Sequence, residues 1–289
     1  MKYDITMIGH ISRDILIYKE DITKITGGAV IYSSAAAARS GKKVHVITKA
    51  SEDTENELKG LEEDGVQVSR FDSQETTSIE NIYFTPDKEK RQVTLLTQAD
   101  PFIIKELSEL ESEIFHLAGL FRGEIPEQFI PFLAQKGKLG VDAQGFLRCS
   151  ENGKLIFRDW ESKKKLLPMV NYLKTDAAEA EILTDESDRE KAASILSSWG
   201  AKEVMVTHNS EVLVFADGKV YKAPYTSGNL SGRTGRGDTT FAAYLAWRLD
   251  HDPEESVHYA AALCSIKMEK PGPFTGTIKD VKSRMEKDA

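Results

Sequence analysis

Residues 231–247 read SGRTGRGDTTFAAYLAW. The stretch places Gly232, Gly235 and Gly237, with Arg233 and Arg236, directly before Asp238, and then runs into an alanine-rich apolar segment. Glycine takes φ > 0 without steric cost and lets the main chain come close to a ligand. The segment that follows spaces Phe241, Leu245 and Leu249 at i, i+4 and i+8, which predicts a helix that packs its apolar stripe on a sheet and stops before Pro253. The mouth of that helix must then face whatever the turn encloses. Unpaired N–H groups and the positive end of the helix dipole make it an anion site, Arg233 and Arg236 add charge, and phosphate is the natural occupant.

A carboxylate beside bound phosphate is repelled unless it has another task. Two readings of Asp238 stand: a helix cap, or a general base that takes the proton from an attacking hydroxyl while neighbouring N–H groups stabilise the transferring phosphoryl group. An anion hole and a carboxylate within four residues favour the second. An Arg236-Gly237-Asp238 adhesion tripeptide is set aside, because the opening MKYDITMIGH enters a strand with no signal-peptide pattern. The chain has no GxxxxGK(S/T), no GxGxxG after its first strand, and neither HRD nor DFG. P-loop enzymes, dinucleotide-binding dehydrogenases and protein kinases are thereby excluded.

Outward from this stretch, strand-like and helical segments alternate. DITMIGHI, VHVITKA, VQVSRF, IFHLAGL, KLGVDAQ, NYLKTD and AKEVMVTH read as strands. AVIYSSAAAARS, ending at Gly41, and EDTENELKGLEEDG read as helices. The rhythm predicts an α/β fold, a three-layer α/β/α sandwich around a mostly parallel sheet. Two hairpins interrupt it. SIENIYFTP with DKEKRQVTLLTQ turns at a charged segment and, with the strand at 14–18, predicts a small β flap; EVLVFADGKVYKAPY turns at Asp217-Gly218 and predicts an antiparallel edge. One domain over 1–289 is expected, with the flap formed by about 12–20 and 76–98. His10, His45, His116, His208 and Trp160 are read as packing or flanking residues.

The chain has 289 residues, 40% apolar and 29% charged, with 46 acidic against 38 basic side chains and a net charge of -8. That balance argues against nucleic acid and anionic membranes as partners, and no apolar run reaches the length of a membrane span. A cytoplasmic location is expected. Cys149 and Cys264 lie far apart without ligand spacing, so neither a disulfide framework nor a zinc site is encoded. A monomer and a homodimer both fit.

Taken in order, Asp14, Gly27-Gly28, Asp176-x-x-Glu179 and Gly235-Arg236-Gly237-Asp238 resemble the ribokinase-like (PfkB) carbohydrate kinases over essentially the whole chain. The resemblance implies ATP-dependent phosphorylation of a hydroxyl of a sugar, polyol or nucleoside, with Mg²⁺. It implies that Asp238 is the base and that Gly235, Arg236 and Gly237 supply the anion hole. Asp14, Gly27 and Gly28 would lie on the acceptor side. Asp176 and Glu179 would lie beside the nucleotide, with Glu179 ordering Mg²⁺ through water; a plain helix start is the alternative for this pair. Thr207, Asn209 and Arg233 would contact the nucleotide, the C-terminal HYAAALCSIKM helix would lie beside the adenine, and the flap would be a lid over the acceptor.

The departures from the family pattern also count. Gly232 stands where the family commonly has an aspartate tied to a monovalent cation, so potassium activation is not expected. Gly27-Gly28-Ala29-Val30-Ile31-Tyr32 lacks the lysine and asparagine of the ribokinase stretch, which argues against ribose. Asp142 and Gln144 end a predicted strand, where α/β sheets bind ligands, and Asn81 lies on the flap; all three are candidate acceptor contacts, as is Asp100 just after the flap, for which a turn role before Pro101 is the alternative. The set TSIEN, ADPF, DAQGF, RDWE, GRTGRGDT and KPGP resembles the bacterial myo-inositol kinase subgroup. A fructose-like or nucleoside acceptor, and a non-catalytic ligand-binding regulator on the same scaffold, are the alternatives.

Overall fold

The structure is a computed structural model and describes residues 2–85, 91–107 and 109–288. The first half of the chain folds as β1 (Tyr3–Ile8), β2 (Ser12–Tyr18), β3 (Asp21–Gly27), α1 (Ala29–Arg39), β4 (Val44–Ala50), α2 (Glu55–Glu63), β5 (Gln67–Asp72), β6 (Thr77–Tyr83), β7 (Arg91–Thr97) and β8 (Ser112–Leu117). Next come α3 (Phe129–Leu133), β9 (Lys138–Asp142), α4 (Gln144–Leu147), β10 (Arg148–Glu151), β11 (Lys154–Phe157), α5 (Lys163–Leu166), β12 (Tyr172–Asp176), α6 (Ala177–Thr184) and α7 (Arg189–Ser198). The chain closes with β13 (Glu203–Thr207), β14 (Glu211–Ala216), β15 (Lys219–Pro224), α8 (Arg236–Trp247), α9 (Pro253–Met268) and α10 (Ile278–Asp288).

Among the described residues, nine strands form the main sheet in the order β15-β14-β13-β12-β9-β8-β1-β4-β5. It is parallel from β13 to β5, and the β14–β15 hairpin is its antiparallel edge. This is the α/β layering that the alternating segments predict. Side chains alternate across a strand, and here they divide between two cores. Ile5 and Met7 of β1 join the core under α1, α2, α8, α9 and α10, whereas Ile8 joins the one under α3 to α7. Met205 of β13 and its neighbours Val204 and Val206 divide the same way. Strands covered on both faces need apolar residues throughout, which is why VHVITKA is buried at every position.

Glycines set the fine fit of two helices. After α1, Gly41 takes φ 83°, its N–H donates to Ala38 O at 2.9 Å and that of Lys42 to Ala37 O at 3.2 Å, the paired bonds of a Schellman C-terminus. Under α8, a β-carbon on Gly140 would lie 3.1 Å from Leu245 Cδ1 and 3.5 Å from Phe241 Cζ, so this glycine lets the helix lie directly on β9.

Six strands form a second sheet in the order β10-β11-β7-β6-β2-β3. It contains the strands expected at 12–20 and 76–98 and is larger than expected: β3, β10 and β11 belong to it and were not read as strands. The charged turn expected around Asp87 to Lys90 lies outside the described residues. Register places Asp14, Ile79 and Leu95 side by side, then Leu16, Asn81 and Val93, so Asp14 and Asn81 share one face of this sheet.

The histidines are structural. His116 is buried in β8, its ring edge-on to Phe241 at 5.0 Å, and burial pushes its pKa down to about 3. His10 bonds Thr77 and the Asp100 carbonyl, and His45 bonds Ser69. Trp160 stacks on Phe146 at 4.5 Å and donates to Glu127. Asp100 is exposed and accepts from Ser73 and the Gln74 amide, a turn role.

Replacing Gly140 by valine forces α8 off the sheet. It is expected to lower unfolding stability by about 1–3 kcal/mol, measured as a shift in the urea midpoint, with the m-value unchanged.

Candidate active site

The C-terminal ends of β9, β12 and β13 meet the first turn of α8. Lys174 pairs in register with Asp142, and Asp176 with Thr207, so these four side chains collect at one end of the sheet. Lys174 Nζ donates to Asp142 Oδ1 at 3.1 Å and Oδ2 at 3.0 Å, and lies 3.9 Å from Glu179 Oε2, all three side chains being buried. Burial alone would lower the Lys174 pKa; Asp142, Glu179, Asp238 and Asp176 outweigh it and hold the ammonium charged. Asp176 and Glu179 form a capping box at the start of α6, Asp176 accepting from the Glu179 amide and Glu179 from the Asp176 amide, each at 2.8 Å. Burial raises the Glu179 pKa, with Lys174 opposing.

The glycine turn sits against this cluster. A β-carbon on Gly237 would lie 3.2 Å from Lys174 Cε and 3.3 Å from its Nζ. Gly235 caps α8 at φ 77°, where a β-carbon would come within 2.2 Å of the Tyr32 ring. The N–H groups of Gly235, Gly237 and Asp238 have no hydrogen-bond acceptor among the described residues, whereas that of Arg236 donates to Arg233 O at 3.1 Å. The set of free amides therefore differs by one residue from the expected Gly235, Arg236 and Gly237. The Arg236 guanidinium turns away to Asn209 Oδ1 at 3.0 Å, over the Tyr225 ring. Asn209, expected at a nucleotide, thus has its amide oxygen engaged within the protein. Thr207 is buried, its hydroxyl on Thr175 O, and Arg233 lies half-buried in the turn.

Asp238 follows these amides, and its carboxylate makes no hydrogen bond to a described residue. Burial raises its pKa to about 6, against the pull of Lys174, Lys267 and Arg148 and with the support of Asp142. Such a carboxylate is ionised at neutral pH and still basic enough to accept a proton.

On the facing side stands Asp14 of β2. A β-carbon on Gly27 would lie 2.5 Å from Asp14 Oδ2, so this glycine leaves room for the carboxylate, and one on Gly28, at φ 102°, would lie 2.5 Å from His10 O, against the backbone that leads into β2. Burial raises the Asp14 pKa, and a hydrogen bond from the Ser12 side chain, with Arg148 and Arg91, opposes it. Arg148 is 9% exposed, with its guanidinium over Phe121 at 5.3 Å, and it acts electrostatically on Asp14 and Asp238 alike. Among the described residues Asp14 Oδ1 and Arg148 Nε are buried without a hydrogen-bond partner. Tyr32, buried in α1, is within electrostatic reach of Asp14 and Asp238, and burial together with both carboxylates raises its pKa. Gln144 is partly exposed at the start of α4, and its amide donates to Asp142 Oδ1 at 3.0 Å.

The structure thus gathers Asp238, Gly235, Gly237, Asp176, Glu179 and Thr207 on one side, with Asp14, Gly27 and Gly28 facing them. Asp142 accepts from Lys174 through both oxygens and from the Gln144 main-chain N–H through Oδ1, which fixes it at this end of the sheet. Sequence reading passed over Lys174, Lys267 and Tyr32. Lys174 had a visible signal, a lysine inside the buried strand NYLKTD.

Free amides at a helix mouth, a carboxylate beside them and a polar recess opposite define a phosphotransferase acting on an alcohol. Residues 1–279 match the model of the pfkB family carbohydrate kinases, and the chain belongs to that family. It is 40% identical, with a TM-score of 0.90, to a pyrophosphate-dependent kinase in the ribokinase family complexed with a pyrophosphate analog and myo-inositol, the match covering 96% of this chain and 99% of that one. It is 38% identical, with a TM-score of 0.89 over 98% and 99% of the chains, to a pyrophosphate-dependent myo-inositol-1 kinase converted by two substitutions into a myo-inositol-3 kinase. A cytidine kinase of Thermococcus kodakarensis is 28% identical over 95% of this chain and 99% of its own. The fold is ribokinase-like, and the chain is a carbohydrate kinase. Among the described residues no helix is long and apolar enough to cross a membrane.

Replacing Asp238 by asparagine is expected to lower kcat by about 10²–10⁴-fold while calorimetry still detects acceptor binding. In the unaltered enzyme the acidic limb of kcat/KM should break near the Asp238 pKa of about 6, rate falling as pH drops below it because the base becomes protonated. An asparagine variant that turns over normally, or a flat profile through that range, would exclude Asp238 as the base.

Proposed function

We propose that this kinase phosphorylates a ring hydroxyl of myo-inositol with pyrophosphate as donor. The observation that carries the acceptor is the pair of buried atoms without a hydrogen-bond partner among the described residues, Asp14 Oδ1 and Arg148 Nε. A buried polar atom without a partner costs about 1–3 kcal/mol, and hydroxyls, which donate to a carboxylate and accept from a guanidinium, satisfy both. Arg148 and Arg91 face Asp14, and Arg148 also Asp238 and Glu179, so the recess has no surplus of positive charge. That suits an uncharged polyol better than a sugar phosphate. Asn81, buried on the same face as Asp14, adds an amide that both donates and accepts.

The acceptor hydroxyl donates its proton to Asp238 as its oxygen bonds to the donor's terminal phosphorus, and the bond from that phosphorus to the bridging oxygen breaks, releasing orthophosphate. The amides of Gly235, Gly237 and Asp238 hold the charge on the transferring group, with the Lys174 ammonium at their side. The second sheet acts as the lid that keeps water out. Pyrophosphate is favoured over ATP because the two solved relatives above are pyrophosphate-dependent. Among the described residues no group of three or more histidine, cysteine or acidic side chains is placed to hold a metal ion. Mg²⁺ therefore fits as an ion carried mainly by phosphate oxygens and water, with Glu179 as the protein's carboxylate, and it would neutralise donor charge. The free thiols of Cys149 and Cys264 agree with a reducing compartment such as the cytoplasm.

The assignment is tested by measuring kcat/KM over myo-inositol, other inositols, ribose, fructose and cytidine, each with pyrophosphate and with ATP. Myo-inositol with pyrophosphate should rank first. A furanose, a linear sugar or cytidine in first place would reject the acceptor, and a preference for ATP would reject the donor.

A further inference from the structure

Near the C-terminal end of α9, against the anion loop, lies a buried lysine. Lys267 is 3% exposed, and its Nζ donates to Gly232 O at 2.5 Å and to Thr234 O, with the Tyr32 ring 4.8 Å away. The loop is strapped to this end of α9: the Gly232 amide donates to Met268 O at 2.8 Å, and a β-carbon on Gly232 would come within 1.8 Å of Lys270 O. Among the described residues no carboxylate lies within ion-pair distance of this ammonium, and its partners are main-chain oxygens.

The choice of oxygens matters. Thr234 C=O and Gly235 N–H belong to one peptide unit, and in a trans peptide they point in opposite directions. A cation fixed on Thr234 O therefore aims Gly235 N–H toward the opposite side, where the phosphoryl group is transferred, and polarises it as a donor. The neighbouring unit is held likewise: Arg236 C=O accepts from Thr240 Oγ1 at 2.8 Å and from Cys264 Sγ at 3.5 Å, which directs Gly237 N–H. Carbonyls that converge on one buried point make a cation site, and here the chain fills it with its own side chain.

We propose that Lys267 is an internal cation of the anion hole, a positioning residue that orients and polarises Gly235 N–H, so that the enzyme turns over without a dissociable monovalent ion. The inference rests on the phosphoryl-transfer reading of the loop and is indifferent to which acceptor is used.

The test uses the full chain and its Lys267→Met variant in tetramethylammonium buffers, with potassium, ammonium or methylammonium added. Turnover is measured with the best acceptor of the screen, and pyrophosphate binding is measured by calorimetry with no acceptor present. The unaltered enzyme should be indifferent to the cation. Lys267→Met should lose about 10²–10³-fold in kcat, the loss expected when an oxyanion donor is disabled, with acceptor KM little changed, and potassium or one of the ammonium ions should restore much of the loss and tighten pyrophosphate binding. Lys267→Gln, which keeps a donor without the charge, carries the same readings if the methionine variant does not fold. An unaltered enzyme that slows when potassium is withdrawn overturns the proposal. So does a folded variant with near-normal turnover, or one equally inactive in every cation. Failure of the acceptor assignment leaves the ion dependence and the pyrophosphate titration intact, so the two ideas fall separately.

Discussion

The first turn of α8 lies closer to the ends of the parallel strands than any side chain would permit, and the site depends on that closeness. At Gly237 a methyl group would press on Lys174, at Gly235 it would enter the Tyr32 ring, and farther along the helix Gly140 removes the side chain that would hold Phe241 and Leu245 away from β9. The contacts act at both ends of one rigid body. Because the helix is pinned at its mouth and along its stripe, its free amides have a fixed direction, and an anion bound there meets dipoles that need not reorganise. The glycines are thus steric requirements before they are chemical ones.

Bringing backbone so close to buried charge has a desolvation cost, and the pattern of partners shows how it is met. Lys174 is held by Asp142 and by the more distant Glu179. Lys267 is held by carbonyls, and Arg148 is offset by Asp14, Glu179 and Asp238 at longer range. Asp238 differs from the rest in having no hydrogen-bond partner among the described residues, although three cations act on it. Burial raises its basicity while Lys174, Lys267 and Arg148 keep it ionised, and the balance falls near neutrality. Had Asp238 been a helix cap, its oxygens would be bonded to amides of its own first turn, as those of Asp176, Asp188 and Asp252 are. The contrast between capping and non-capping aspartates within one chain supports its reading as the base.

Much of this was legible in the residues. The two-residue and 3.6-residue periods read out the layered sheet, and the glycine and aspartate spacing identified the helix mouth, because both are local properties of backbone geometry. The second sheet was only half read. β3 is an exposed edge without an apolar alternation, and β10 and β11 are four residues each, so neither period could register. The charge network was harder still. The ion pair of Asp142 left no trace there because its partner is 32 residues away and meets it only through the β9–β12 register. Lys267 lies in an apolar helix, where a lone lysine is indistinguishable from a snorkelling surface residue until the loop it supports is placed. Pairings made by topology are absent from the local signal.

The same topology brings Asp14, on the second sheet, toward Asp238, on helix α8 beside the main sheet. β2 starts four residues after β1 ends, and β3 returns through Gly28 directly into α1. Asp14 is therefore suspended between two short connections, one to a central strand and one to a helix that packs on α8. Tyr32, on the first turns of that helix, meets Gly235 at the anion loop and acts on both Asp14 and Asp238. A displacement of the second sheet that moved Asp14 would have to pass through Gly28 and Tyr32 to the amides of α8. Gly28 takes φ 102°, a conformation costly for any other residue, so the connection cannot lengthen or acquire a side chain without changing the angle at which β3 enters α1. Gly27, which leaves room for the Asp14 carboxylate, and Gly28, which turns β3 into α1, thus stand at the joint between the second sheet and the helix that meets the anion loop, so a substitution there would disturb both.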